Sequence, residues 1–81
     1  MNDTRAQLIR EIARCARVEA RDITPDAHFV IDLGMTSLDL LNVLAYAEKL
    51  IGTRFPDEQI VELTTLNKVM DALHKLEVGQ E

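Results

Sequence analysis

Between Ser37 and Ile51, the apolar residues Leu40, Val43, Leu44, Ala47, Leu50 and Ile51 recur at helical spacing and gather on one face. This stripe constrains the fold most, because both of its ends carry stop signals. Thr36-Ser37-Leu38-Asp39 has the capping-box form, in which the Thr36 hydroxyl and the Asp39 carboxylate each take the other residue's backbone N–H. Gly52 can adopt the left-handed conformation that closes a helix. A helix so delimited, with one apolar face, must be covered by other elements.

The rest of the chain supplies the cover. Leu8, Ile9, Ile12, Ala13 and Ala16 give a first helix from Asn2 or Asp3 to about Arg17, with Asp3 or Thr4 as its cap. Phe55-Pro56-Asp57-Glu58 opens a short third helix through about Glu62, with acids at its positive end. Thr64 or Thr65 caps a fourth helix, in which Leu66, Val69, Met70, Leu73 and Leu76 form a second stripe. Residues 18–36 read as a long connection broken by Pro25 and Gly34 and anchored by Phe29, Val30 and Leu33. The fold class is all-α: a small four-helix bundle with three longer helices, a short third helix and a long loop between helices I and II. One domain is expected over residues 1–81, with an ordered core of about 4–77.

Charge narrows the function. Residues 1–21 carry a net +2 from five arginines and three acids, and residues 22–81 carry −7, giving −5 for the chain. An acidic chain repels nucleic acid, and no aromatic residue interleaves with Arg5, Arg10, Arg14, Arg17 and Arg21, so these read as a solvated helix face. Cys15 is alone and reads as a small apolar filler. No long apolar run or signal peptide is present, so a cytoplasmic protein without membrane contact is expected. His28 and His74 lack neighbouring ligands at metal spacing, so no metal site is expected; Met35 and Met70 read as packing residues.

Ser37 follows a glycine turn at a helix start and has three readings. A hydrolase nucleophile needs a base and an orienting acid, and Gly34-Met35-Thr36-Ser37 is not a G-x-S-x-G elbow, so no catalytic residue is assigned. A structural cap is the plain alternative, but Thr36 already fills that place and leaves Ser37 at the first helical position. The third reading is a serine presented for modification by another protein. Helix N-termini favour phosphate, so a phosphodiester there would sit in a favourable field. Opposite the core face of the same helix lie Leu38, Leu41 and Ala45, with Asn42 and Lys49 along one side. This apolar strip suits either a docking partner or coverage by the loop 18–36.

The run Phe29-Val30-Ile31-Asp32-Leu33-Gly34-Met35-Thr36-Ser37-Leu38 resembles the modification site of acyl carrier proteins. Ile23-Thr24-Pro25-Asp26-Ala27-His28-Phe29 resembles the loop before that site. Phe55-Pro56-Asp57-Glu58-Gln59 and Leu63-Thr64-Thr65-Leu66 resemble the family's third and fourth helix entries, so the likeness spans about residues 4–76. The resemblance implies that Ser37 receives a 4′-phosphopantetheine arm from coenzyme A through a phosphopantetheinyl transferase. The arm's thiol would hold acyl groups as thioesters, and the chain would be a monomeric, non-catalytic shuttle. Its partners would be an acyl- or aminoacyl-loading ligase or transferase and downstream synthase, tailoring or transferase enzymes. The expected partner surface is Thr36, Leu38, Asp39, Leu41, Asn42, Ala45, Glu48, Asp57 and Glu58.

Two departures bear on the pathway. Members of that family commonly carry Asp before the serine, where this chain has Thr36. Their second helix is usually rich in acids, but residues 38–50 hold only Asp39 and Glu48 against Lys49. A specialised polyketide, modified fatty acid or other secondary pathway is therefore expected. A carrier of aminoacyl or peptidyl groups is the first alternative. An unmodified helical interaction module is the second.

Overall fold

Helix α2 (Ser37–Ile51) is the element on which the other two long helices pack, because its apolar stripe is its widest uninterrupted surface. The computed structural model describes residues 2–78, and side chains over 4–76. The remaining elements are α1 (Asn2–Ala16), a 3-10 turn (Ala20–Asp22), α3 (Asp57–Ile60) and α4 (Leu66–Val78). Every regular element among the described residues is helical.

Each stripe read from the sequence is buried. Leu8 and Ile12 come from α1, Val43, Leu44 and Ala47 from α2, and Leu66, Val69, Ala72 and Leu73 from α4. Leu40, Leu50, Ile51, Met70 and Leu76 pack partly buried against this centre. The core is aliphatic but for Phe29 and Phe55, which come from connections rather than helices.

The long connection is fixed by buried anchors and by backbone bonds to α4. Phe29 is fully buried, and its N–H donates to the Thr64 carbonyl at 2.8 Å. The Asn67 N–H reaches the Pro25 carbonyl at 3.0 Å, and the Asn67 side chain donates to Asp26 at 2.7 Å. Ile23 and Met35 are buried as well, so they hold the two ends of the segment. Val30 is not the anchor expected: it is 39 % exposed, because the chain turns immediately after Phe29 and points Val30 outward. Leu33 is half-buried against the core.

The start of α1 at Asn2 is as expected, while its cap and the ends of α1 and α3 differ from expectation. α1 begins at Asn2, so Thr4 lies within its first turn and is not its cap; the Asp3 side chain lies outside the described residues. α3 ends at Ile60 rather than Glu62, a single turn that buries no side chain. α1 stops at Ala16, where Arg17 takes a left-handed φ of 62° and the Val18 N–H reaches back to the Ala13 carbonyl at 3.1 Å. α4 is capped by Thr65, whose hydroxyl accepts the Lys68 N–H at 3.2 Å.

Candidate functional site

The start of α2 is held by a complete capping box. The Thr36 Oγ1 accepts the Asp39 N–H at 3.0 Å, and an Asp39 carboxylate oxygen accepts the Thr36 N–H at 3.1 Å. Thr36 therefore does the capping, and Ser37 is left as an exposed first residue of the helix. Immediately before it, Gly34 takes φ +73°, which an L side chain rarely adopts, and Met35 is buried to 2 % exposure. The serine is thus suspended between a buried anchor and the first core residues of α2. Ser37 itself is exposed.

The loop leading to Ser37 has a feature that sequence reasoning missed. The Nδ1 of His28 accepts the N–H groups of both Val30 and Ile31 at 3.1 Å. In return Asp32 accepts the His28 N–H at 2.7 Å. The Asp32 and Leu33 N–H groups donate to the His28 carbonyl, and the Gly34 N–H donates to that of Val30. This is a side-chain cap on an irregular turn, made by histidine where Ser, Thr, Asp or Asn are commoner. The spacing of an acceptor at residue 28 and an acid at residue 32 is the only signal in the sequence. His74 stands exposed on α4, and among the described residues no group of three or more metal-ligating side chains forms.

The strip beside Ser37 is open. Leu38 is 67 % exposed and Leu41 is 50 % exposed, and Asn42 and Ala45 are exposed with them. The loop 18–36 does not fold over these residues. Ile31 on the loop and Val61 after α3 are exposed as well. Asp57 and Glu58 are exposed on α3. Glu48 is engaged differently: its carboxylate accepts the Phe55 N–H at 2.7 Å and fastens the chain beyond α2. Asp39, half-buried, is committed to the capping box.

The end of α1 meets the start of α2 at a cleft of about 250 Å³ lined by Cys15, Ala16, Arg17, Gly34, Thr36 and Asp39. Arg14 is bonded to Glu11, whose carboxyl is held below its usual range mainly by that hydrogen bond. The Cys15 thiol is pushed up, first by burial and then by the Glu11 charge, so it stays protonated at neutral pH and is a poor nucleophile. A larger cleft of about 440 Å³ is lined only by residues between Gln59 and Lys75 and shares none with the Ser37 neighbourhood.

The bundle is all-helical among the described residues and presents an exposed serine at the start of α2. Residues 6–73 match the family described as the phosphopantetheine attachment site. The chain is 34 % identical over 73 residues to the acyl carrier protein of Thermobifida fusca, covering 90 % of this chain and 89 % of that one. It is 37 % identical over 59 residues to the acyl carrier protein of Helicobacter pylori, covering 73 % of this chain and 76 % of that one. It is also 33 % identical over 72 residues to the meromycolate extension acyl carrier protein of Mycobacterium leprae, covering 89 % of this chain and 60 % of that longer relative. The chain belongs to the acyl carrier protein family. It is therefore a non-catalytic carrier with 4′-phosphopantetheine as its prosthetic group, and it works with transferases and synthases. No helix among the described residues is long and apolar enough to cross a membrane.

The site fits that group. The open Ser37 hydroxyl is available for esterification, and the free N–H groups at the α2 start favour the negative phosphate. The His28 Nδ1 is occupied by backbone donors and is not free as a base. Were Ser37 the acceptor, its oxygen would bond to the phosphorus bearing the pantetheine arm as the pyrophosphate P–O bond of coenzyme A breaks; adenosine 3′,5′-bisphosphate would leave, and the serine proton would go to a base of the transferase.

Proposed function

We propose that Ser37 is the attachment residue and that the chain holds acyl intermediates as thioesters on the arm, for a specialised cytoplasmic pathway. The observation that carries this is the division of labour at the α2 start, where Thr36 caps and Ser37 is left exposed. The matched attachment region includes this position. The low acid content of α2 supports a specialised pathway, because partners relying on basic patches would find little to hold. That a meromycolate extension carrier is among the relatives agrees with such a role. Residues 1–81 would form one monomeric carrier domain. An aminoacyl or peptidyl cargo is the alternative, distinguished by which acid a loading enzyme transfers to the arm.

The test is intact-protein mass after incubation with coenzyme A and a broad-range transferase. One phosphopantetheine is expected on the wild type and none on Ser37→Ala. Modification that persists in Ser37→Ala would remove the assignment.

Partners are proposed to dock on Leu38, Leu41 and Ala45 through apolar burial, with Thr36, Asp39, Asn42, Glu48, Asp57 and Glu58 around them. Raising salt screens exposed charges but hardly weakens apolar burial. Leu41→Asp should therefore abolish most of the binding of the modified carrier to its loading enzyme, while the wild type loses little between low and physiological salt. Normal binding by Leu41→Asp, with a steep salt dependence, would move recognition to the acids of α3.

A further inference from the structure

The cleft between the end of α1 and the start of α2 brings Arg17 to the residue next to Ser37, and the attachment of the arm does not by itself give this arginine a role. We infer that the Arg17 guanidinium pairs with the phosphodiester on Ser37 and holds the root of the arm against the end of α1. This rests on the assignment of Ser37 as the attachment residue.

Arg17 and Thr36 line the same cleft of about 250 Å³, which has room for several water-sized groups. Ser37 follows Thr36 directly in the chain, so a phosphodiester on it would be attached one residue from the cleft lining. The cleft already holds an acid, since Asp39 lines it with its carboxylate engaged by the Thr36 N–H. Esterification of Ser37 would add a second negative charge close to Asp39, a pairing that a cation within reach would favour. Of the two arginines at this end of α1, Arg14 is bonded to Glu11. Arg17 makes no ion pair with any acid among the described residues and is exposed. A guanidinium is the side chain best shaped for two phosphate oxygens at once.

The backbone at Arg17 is also unusual. Arg17 is the only non-glycine residue with positive φ among the described residues, at a helix end where glycine is the usual choice.

The experiment uses the full chain modified with coenzyme A and a transferase, as wild type, Arg17→Gly, Arg17→Asn, Arg17→Lys and Arg10→Ala. Glycine and asparagine both tolerate the left-handed backbone, so loss of charge is separated from loss of fold. Intact mass and peptide mapping first confirm the ester on Ser37. The phosphorus NMR resonance of the diester is then followed as salt is added. The wild type, Arg17→Lys and Arg10→Ala should show a salt-dependent shift as the pair is screened. Arg17→Gly and Arg17→Asn should lose it. The Arg17 Nε resonance should move on modification of the wild type, while that of Arg10 stays in place. An ester on Ser37 with the same salt response in all five proteins would overturn the pairing alone. Absence of the ester from Ser37 would overturn the attachment assignment and this inference with it.

Discussion

Helices α1 and α2 end in the same way with different residues. Each closes on a residue in the left-handed conformation, Arg17 at φ 62° and Gly52 at φ 72°. Each then sends the next N–H back across the last turn, Val18 to Ala13 and Thr53 to Glu48. Gly52 meets nothing within 4 Å of where a Cβ would stand, so its identity answers to backbone conformation alone. Arg17 meets the same backbone demand with a side chain that the conformation disfavours by about 1–2 kcal/mol. The difference lies in what surrounds each end. Gly52 leads into the connection held by Glu48 and Phe55, whereas Arg17 lines the cleft beside Ser37. One helix end carries the residue its backbone favours, and the other carries a charge in a disfavoured conformation beside the cleft.

That contrast can be broken in three ways, beginning with the largest effect. If the ends are secondary to packing, truncating the core under either helix should outweigh any change at an end. Ile12→Ala and Leu44→Ala should each cost about 2–5 kcal/mol, read as a lower denaturant midpoint, because both side chains are buried against α1, α2 and α4. An unchanged midpoint in both would contradict the assigned faces.

The ends themselves should then respond with opposite signs. Gly52→Ala should destabilise by about 1–2 kcal/mol, and Arg17→Gly should stabilise the unmodified protein by about 0.5–1 kcal/mol. Thermal unfolding of both variants checks this, and a shift in the same direction for both would dissolve the comparison.

The smallest effect concerns pH. Glu11 lies one turn before the α1 end and is held below its ordinary 4.5, chiefly by its hydrogen bond from Arg14 and against the opposing effect of burial. A carboxyl with a lowered folded pKa adds stability above its unfolded pKa and loses it as pH falls through the folded value. The advantage of wild type over Glu11→Gln should therefore be complete above about pH 5 and fade in more acidic buffer. An advantage that persists undiminished at the acid end would show that Glu11 acts by packing instead.

Much of this molecule was legible in its sequence, and the reason is local. The α2 boundaries and capping box follow from Thr36, Asp39 and Gly52, which act over a few residues of chain. The stripes of α1, α2 and α4 follow from spacing, since a helix with one apolar face has one way to bury it. The place of Leu38 and Leu41 off the core face follows from the same arithmetic, but their exposure was open until the loop 18–36 was seen to leave them uncovered. Spacing alone left Ser37 open between a cap and a modification site, and the modification is what the family resemblance implies.

What the sequence could not show lies where distant segments meet. Ile23 and Met35 as anchors, and Val30 as a surface residue, depend on where the chain turns between α1 and α4. The His28 turn requires an imidazole aimed at two backbone donors, a geometry that no periodicity encodes.

The sequence by itself determined the helices, their buried faces and the serine at a helix start, because hydrogen bonding within a turn and the 3.6-residue period are properties of nearby residues. Only the tertiary structure decided what stands beside that serine. Arg17 and Thr36 are separated by the whole of the long connection, and the packing of α1 on α2 brings both to one cleft. A charge can act on a site only through distance in space, and the core sets that distance.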